Sequence, residues 1–276
     1  MDSLMDNFLV FVFQSQWLVI LAAGLLLLAL AEFGFCTGWR LFVSKDEARK
    51  SQIGGIQGAV LGMLALLLGF TFSMAVTRYE IRRDLVLQEA NSIGTTYLRA
   101  SLLPAAHQKA VENLLRQYVE ARLEFFGAGR NPGKIVSAES NTSKLQRDLW
   151  AQAVAASREA PNPITATFIA ALNDTIDLDE SRLNAFRARV PASVWLLVLV
   201  VAGAGCYASG YGAGASGART GFSNVMLPVL IAVVITIIAD FDQPRHGLIS
   251  VSQQPMFDLR AGLSRPTPSA ASDSER

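Results

Sequence analysis

The chain has 276 residues, 51% of them hydrophobic and only 17% charged, with a formal charge of +1. Soluble domains carry roughly 25% charged residues, so this chain is short of polar surface, and its near-neutral balance gives no electrostatic footprint for nucleic acid. Its two cysteines, Cys36 and Cys206, lie in apolar segments and exclude a disulfide framework.

Apolar residues concentrate in four uncharged stretches, Asn7–Ala31, Ser51–Thr77, Pro191–Ala218 and Thr220–Ala239. Each holds about 20 mainly apolar residues, enough at ~1.5 Å per residue to cross ~30 Å of hydrocarbon. The sequence therefore predicts an all-α protein in a lipid bilayer, with four transmembrane helices over residues 14–35, 55–77, 192–212 and 222–240. The first two form a hairpin within 1–77 and the last two within 191–241, and a helical extramembrane domain, 78–190, is inserted between spans 2 and 3. A membrane-proximal segment, 242–263, and a polar, disordered tail, 264–276, complete the chain. The acidic start MDSLMDN and the length of the first run oppose a cleaved signal peptide, so an uncleaved anchor is expected. The domain and both termini then share one side of the membrane, and only the connections Arg40–Lys50 and Gly210–Gly221 reach the other. Lysines and arginines near the spans leave orientation open, because the first span favours a domain outside the cytoplasm and the totals favour the reverse.

Glu32, near the end of the first span, is an intramembrane acid, read equally as a functional group or as one snorkelling to the interface. The second span carries a row of small residues, Gly54, Gly58, Gly62, Ala65, Gly69 and Ser73. Two readings stand: close helix packing within or between subunits, or a narrow conduit with Phe70 and Phe72 as an apolar constriction. Gly62, Gly69, Phe70, Phe72 and Ser73 are the pore or gate candidates.

No proline or glycine falls between Gly69 and Gly94, so this span is expected to run on as one helix beyond the lipid. Arg78, Arg82, Leu85, Glu89, Ser92, Thr96 and Arg99 recur there at alternating steps of four and three residues, beside a second stripe of Tyr79, Val86, Ala90, Ile93 and Tyr97. The polar stripe is either a packed hydrogen-bond network or a pore or ligand surface. Pro104 separates this helix from a second, Gly127–Thr142 is expected as a loop, Ser143–Arg158 as a third helix, and Pro161 and Pro163 precede a fourth. The run Asp174–Glu180 lacks the glycine and spacing of an EF-hand, and no metal or cofactor is expected.

The fourth span ends in Asp240 and Asp242, whose charges oppose the helix dipole and call for positive partners. Arg78, Arg82, Arg83, Glu89, Asn91 and Arg99, with Asp240, Asp242 and Arg245, form the expected membrane-boundary charge network. The pattern Gly212-Ala-Gly214-Ala-Ser-Gly217 imitates a dinucleotide loop but joins two spans instead of a strand and a helix. With two histidines, neither near a cysteine, and no phosphate loop, no enzyme is expected.

The segments LLGFTFSMAVTRYEIRRDLVLQEANSIGTTYLRASLLP, LNDTIDLDESR and DFDQPRHGLISVSQQP resemble the bestrophin-like family of bacterial membrane proteins, as do Glu32, Gly34 and Gly38 in the first span. The resemblance spans roughly Ile56 to Leu259. It implies a distant relation to bestrophins, which are pentameric anion channels with four spans and a cytosolic helical domain. By that resemblance the second helix surrounds a pore in a homo-oligomer of the bacterial inner membrane, and the permeant partner is chloride or another small anion. The rival reading is a non-conducting membrane scaffold or sensor whose helical domain binds a partner. In it the small-residue row is buried against the chain's own spans.

Overall fold

A computed structural model of the protein describes residues 16–41, 47–129, 131–217, 221–243 and 249–264. Among them the backbone forms helices and no strand: α1 (Gln16–Leu41), α2 (Glu47–Ala100), α3 (Ala105–Gly127), α4 (Pro132–Glu159), α5 (Pro163–Arg187), α6 (Ala192–Ser216), α7 (Gly221–Asp242) and α8 (Gln254–Ser264). Of the expected tail, Ser264 ends α8, and residues 265–276 lie outside the described residues, as does Arg245. Helices α1, α2, α6 and α7 are long and apolar enough to cross a membrane, with mean hydropathies reaching 1.8, 2.2, 1.9 and 2.3. The protein is a multi-pass membrane protein.

Two compact units emerge from the contacts. The first contains the chain up to Arg78 with Arg189–Gln243 and Ile249; the second contains Tyr79–Ala188 and the residues from Ser250.

In the first unit the tightest packing joins α1 to α6. An added Cβ at Gly210 would stand 1.9 Å from the Ala31 carbonyl oxygen. One at Gly34 would stand 2.2 Å from the Tyr207 carbonyl oxygen, and ones at Gly38 and Gly214 would stand 2.3 Å from those of Tyr211 and Phe35. Glycines four residues apart on both helices thus bring the backbones into contact, the arrangement that packs helices where lipid removes the hydrophobic drive. Thr37 Oγ1 and Tyr207 Oη add a 3.1 Å hydrogen bond across the same crossing. The Gly-rich stretch expected as part of a connection is therefore largely helix: α6 continues to Ser216 and ends at Gly217, whose φ of 70° is left-handed. Leu27, Ala31, Val198, Ala202, Cys206, Ile231 and Ile235 fill the core of this unit.

The second unit is a helical bundle around Val86, Ile93, Leu115, Tyr118, Leu149, Phe168, Leu172 and Met256. The loop expected over Gly127–Thr142 is short, because α4 already begins at Pro132. Asn131 caps it, its side chain accepting the Lys134 amide, and Pro132 occupies the first turn, where its missing N–H costs nothing. Asn162 and Pro163 start α5 in the same way, with Asn162 Oδ1 accepting the Thr165 amide at 2.9 Å.

Gly210→Ala is expected to destabilise the detergent-solubilised protein by about 1–3 kcal/mol, the usual cost of overpacking. Gly62→Ala, with nothing within 4 Å of its added methyl group, is expected to leave thermal unfolding unchanged. Unfolding monitored by circular dichroism compares the two.

Candidate functional site

Helix α2 is the least enclosed of the four spans: 17% of its apolar window is buried, against 50% for α7. Its inward face carries Leu64, Thr71 and Ala75, all buried. Its outward face carries Gly58, Gly62, Leu66, Gly69, Phe70, Ser73 and Thr77, all exposed. A Cβ added at Gly54, Gly58, Gly62 or Gly69 meets nothing within 4 Å. Among the described residues, then, the glycines of this row make no close approach to the chain's other spans. Phe70 is 64% exposed and projects from this open face. Phe72 points elsewhere, meeting Phe241 of α7 edge-on with centroids 5.7 Å apart, so of the two candidate rings only Phe70 stands on the open register. Glu32 lies on an exposed position of α1.

The residues expected at the membrane boundary separate into distinct settings. Arg82 is buried at 6% exposure and caps α5, donating from Nε to the Ala185 carbonyl at 3.1 Å and from Nη2 to that of Ala188 at 2.7 Å. A guanidinium there satisfies terminal carbonyls and complements the helix dipole. Arg99 donates to the Thr167 carbonyl at 2.8 Å. Arg78 is half-buried, its Nε enclosed without a hydrogen-bond partner. Arg83 and Asn91 are exposed. Asp242 Oδ1 accepts the Val190 amide and Asp240 Oδ2 the Ile249 amide, both at 2.9 Å, so backbone donors bond these buried carboxylates.

Glu89 belongs to a different assembly, inside the second unit and fully enclosed at 0% exposure. Its Oε1 accepts from Arg122 Nε at 2.7 Å and its Oε2 from Arg182 Nη1. Arg122 also pairs with Asp179, and Gln146 donates to Asp179 at 2.7 Å. Arg182 completes its bonding to Gln253 Oε1 at 2.9 Å and lies 3.9 Å above the Phe126 ring centre. Two guanidiniums and two carboxylates cancel. Burial alone would lower Arg122, but Glu89, Tyr118 and Asp179 outweigh it and hold its titration above the ordinary value. Burial prevails at Arg182, lowering it against the pull of Glu89, and raises the Asp179 carboxyl despite Arg122. The Tyr118 hydroxyl, buried beside this cluster, is pushed up as well. The sequence reading missed Arg122, Asp179 and Arg182 as partners.

Beside it runs a hydroxyl seam between α2 and α5. Thr175 Oγ1 lies 2.9 Å from both Ser92 Oγ and Thr96 Oγ1, and Thr96 also donates to the Ala171 carbonyl at 2.9 Å. The polar stripe of α2 is thus a packed network. No cluster of metal-ligating side chains occurs among the described residues.

Removing one partner of a buried ion pair typically costs about 3–5 kcal/mol. Glu89→Gln, which strands two buried guanidiniums, is expected to lose that much. Asp179→Asn is expected to lose clearly less, since burial already disfavours the ionised Asp179 carboxyl. Thermal unfolding of both variants checks the order.

The fold has counterparts among solved structures. A bacterial Bestrophin homolog from Klebsiella pneumoniae superposes with a TM-score of 0.64 at 14% identity, covering 90% of this chain and 97% of that one. A single-substitution form of that homolog gives 0.63 at 14% identity, over 88% and 97%. Another structure, described as a membrane protein variant, gives 0.65 at 14% identity with the same coverage. No curated protein matches the chain. Residues 23–256 match the Bestrophin-like domain, which places the chain in the bestrophin-like family.

Proposed function

We propose that the protein assembles as a homo-oligomer in the bacterial inner membrane and conducts ions through a conduit walled by the outward face of α2. The observation that carries this reading is the open register of that helix: glycines with nothing within 4 Å and a Phe70 ring 64% exposed. In lipid, apolar helices gain little from burying apolar surface, and rows of small residues are where backbones come close. Repeated around an axis, the same row leaves a narrow passage, and Phe70 supplies an apolar neck of the kind that gates by dewetting. Fold similarity to a bacterial Bestrophin homolog supports the reading, as does membership of the bestrophin-like family. A scaffold would bury the small-residue row against its own chain, and here that row is open.

Two of the four arginines between Arg78 and Arg99 are engaged in packing. Arg82 is buried as a helix cap, and Arg99 is bound to a backbone carbonyl.

Purified protein in liposomes is expected to release trapped KCl faster than empty liposomes. Phe70→Ala is expected to raise the flux: lowering a barrier by ~1.4 kcal/mol corresponds to about tenfold. Release equal to that of protein-free liposomes would remove the channel reading.

A further inference from the structure

Arg82 and Arg182 share the wall of a cavity in the second unit. With Gln253, Phe126, Phe186 and Val251 they line a space of about 20 Å³, more than the roughly 10–15 Å³ that one water molecule needs. Both arginines are enclosed, Arg82 at 6% exposure and Arg182 at 5%, and no carboxylate lies in the wall. The two rings and Val251 make much of the remainder apolar, so the field of a charge there is screened far less than in water.

The bonding of the guanidiniums leaves donors for this space. Arg82 holds the Ala185 and Ala188 carbonyls through Nε and Nη2. Arg182 gives Nη1 to Glu89 and Nη2 to Gln253 Oε1, and among the described residues its Nε makes no hydrogen bond. A guanidinium carries five N–H groups and stays charged in proteins, so Arg182 has donors beyond those two bonds. Glu89, its one anionic partner by hydrogen bond, is shared with Arg122 through the other oxygen. Burial outweighs Glu89 at Arg182 and lowers its titration, as expected of a cation whose surroundings compensate it incompletely. A low-dielectric interior retains charge where it is paired or hydrogen-bonded.

From this geometry we infer that the cavity binds a single small inorganic anion of the halide class between Arg82 and Arg182, and that the bound anion stabilises the helical unit. Its size excludes molecules that carry a phosphate or a carboxylate on a carbon skeleton. Every residue of the wall belongs to the second unit, so the site stands whether or not α2 lines a conduit.

The test is thermal unfolding of the full-length protein in detergent, in potassium chloride and in potassium gluconate at equal ionic strength. The inference expects a midpoint a few degrees higher in chloride and rising with its concentration, as binding to the folded state alone requires. Gln253→Glu brings a carboxylate to the same wall and keeps an oxygen for Arg182. It is expected to raise the midpoint in gluconate and to abolish the response to chloride. Equal midpoints of the unaltered protein in the two salts overturn the inference. A chloride response of undiminished size in Gln253→Glu overturns its assignment to this cavity. Crystals of the unaltered protein grown in potassium bromide give a reading that needs no variant. An anomalous scattering peak between the two guanidiniums supports the site, and density there without such a peak, as from a water molecule, overturns it.

Discussion

Unbroken helical hydrogen bonding from Glu47 to Ala100 fixes one register over 54 residues, and the placement of side chains depends on it. Once Leu64, Thr71 and Ala75 face inward, the positions of Gly62, Phe70 and Ser73 follow from ~3.6 residues per turn. Within the second unit the same periodicity gathers Val86, Glu89, Ile93 and Thr96 on a buried side of their own. A helix in this position cannot turn one residue inward without turning its whole row. The buried side is then pinned by specific partners: Glu89 by two guanidiniums, Thr96 by the Thr175 hydroxyl and the Ala171 carbonyl. Buried pairs of this kind stabilise less than their Coulomb attraction suggests, because desolvation is costly. In this protein they discriminate between registers, since a shifted helix would leave charges stranded.

Glycine has two opposite uses here. In α1 and α6, Gly34, Gly38, Gly210 and Gly214 lie against carbonyl oxygens that leave no space for a side chain. Those four positions make the crossing of the two helices. In α2 a Cβ added at Gly54, Gly58, Gly62 or Gly69 would meet nothing within 4 Å, so among the described residues no close helix approach accounts for them. Identical spacing in the sequence thus corresponds to a contact already made in one helix and to an open face in the other.

Hydropathy made the four spans legible, because a bilayer imposes length and composition directly on the residues that cross it. The helix starts at Asn131 and Asn162 were harder to see. Asn-Pro reads as punctuation, and it is also a cap followed by a proline at the first helical turn. The Gly-rich end of α6 was misread for a similar reason, since glycine signals a loop in water and close helix approach in lipid. The charge quartet was least legible. Glu89 is 33 residues from Arg122 and 93 from Arg182, so no local spacing announces their meeting. One signal was present: Glu89 lies next to Ala90 and one turn before Ile93, in the arc of the helix that faces the core. An acid in that arc demands a buried partner.

Charge count and charge placement therefore separate in this molecule. The segment from Arg78 to Arg99 carries four arginines and three acids over a step from lipid to water, by count Arg78, Arg82, Arg83 and Arg99 against Glu80, Asp84 and Glu89. Read as a string, it is basic. Read by register, Arg82 and Glu89 leave the surface for the bundle interior. Glu89 neutralises arginines from α3 and α5, and Arg82 closes the end of α5. The exposed surface of α2 just past Thr77 keeps Glu80, Arg83 and Asp84. A low-dielectric interior retains only charges it can pair or hydrogen-bond, and α3 and α5 supply those partners for one row alone. Their packing thus determines which charges of α2 are enclosed and which stay at the surface.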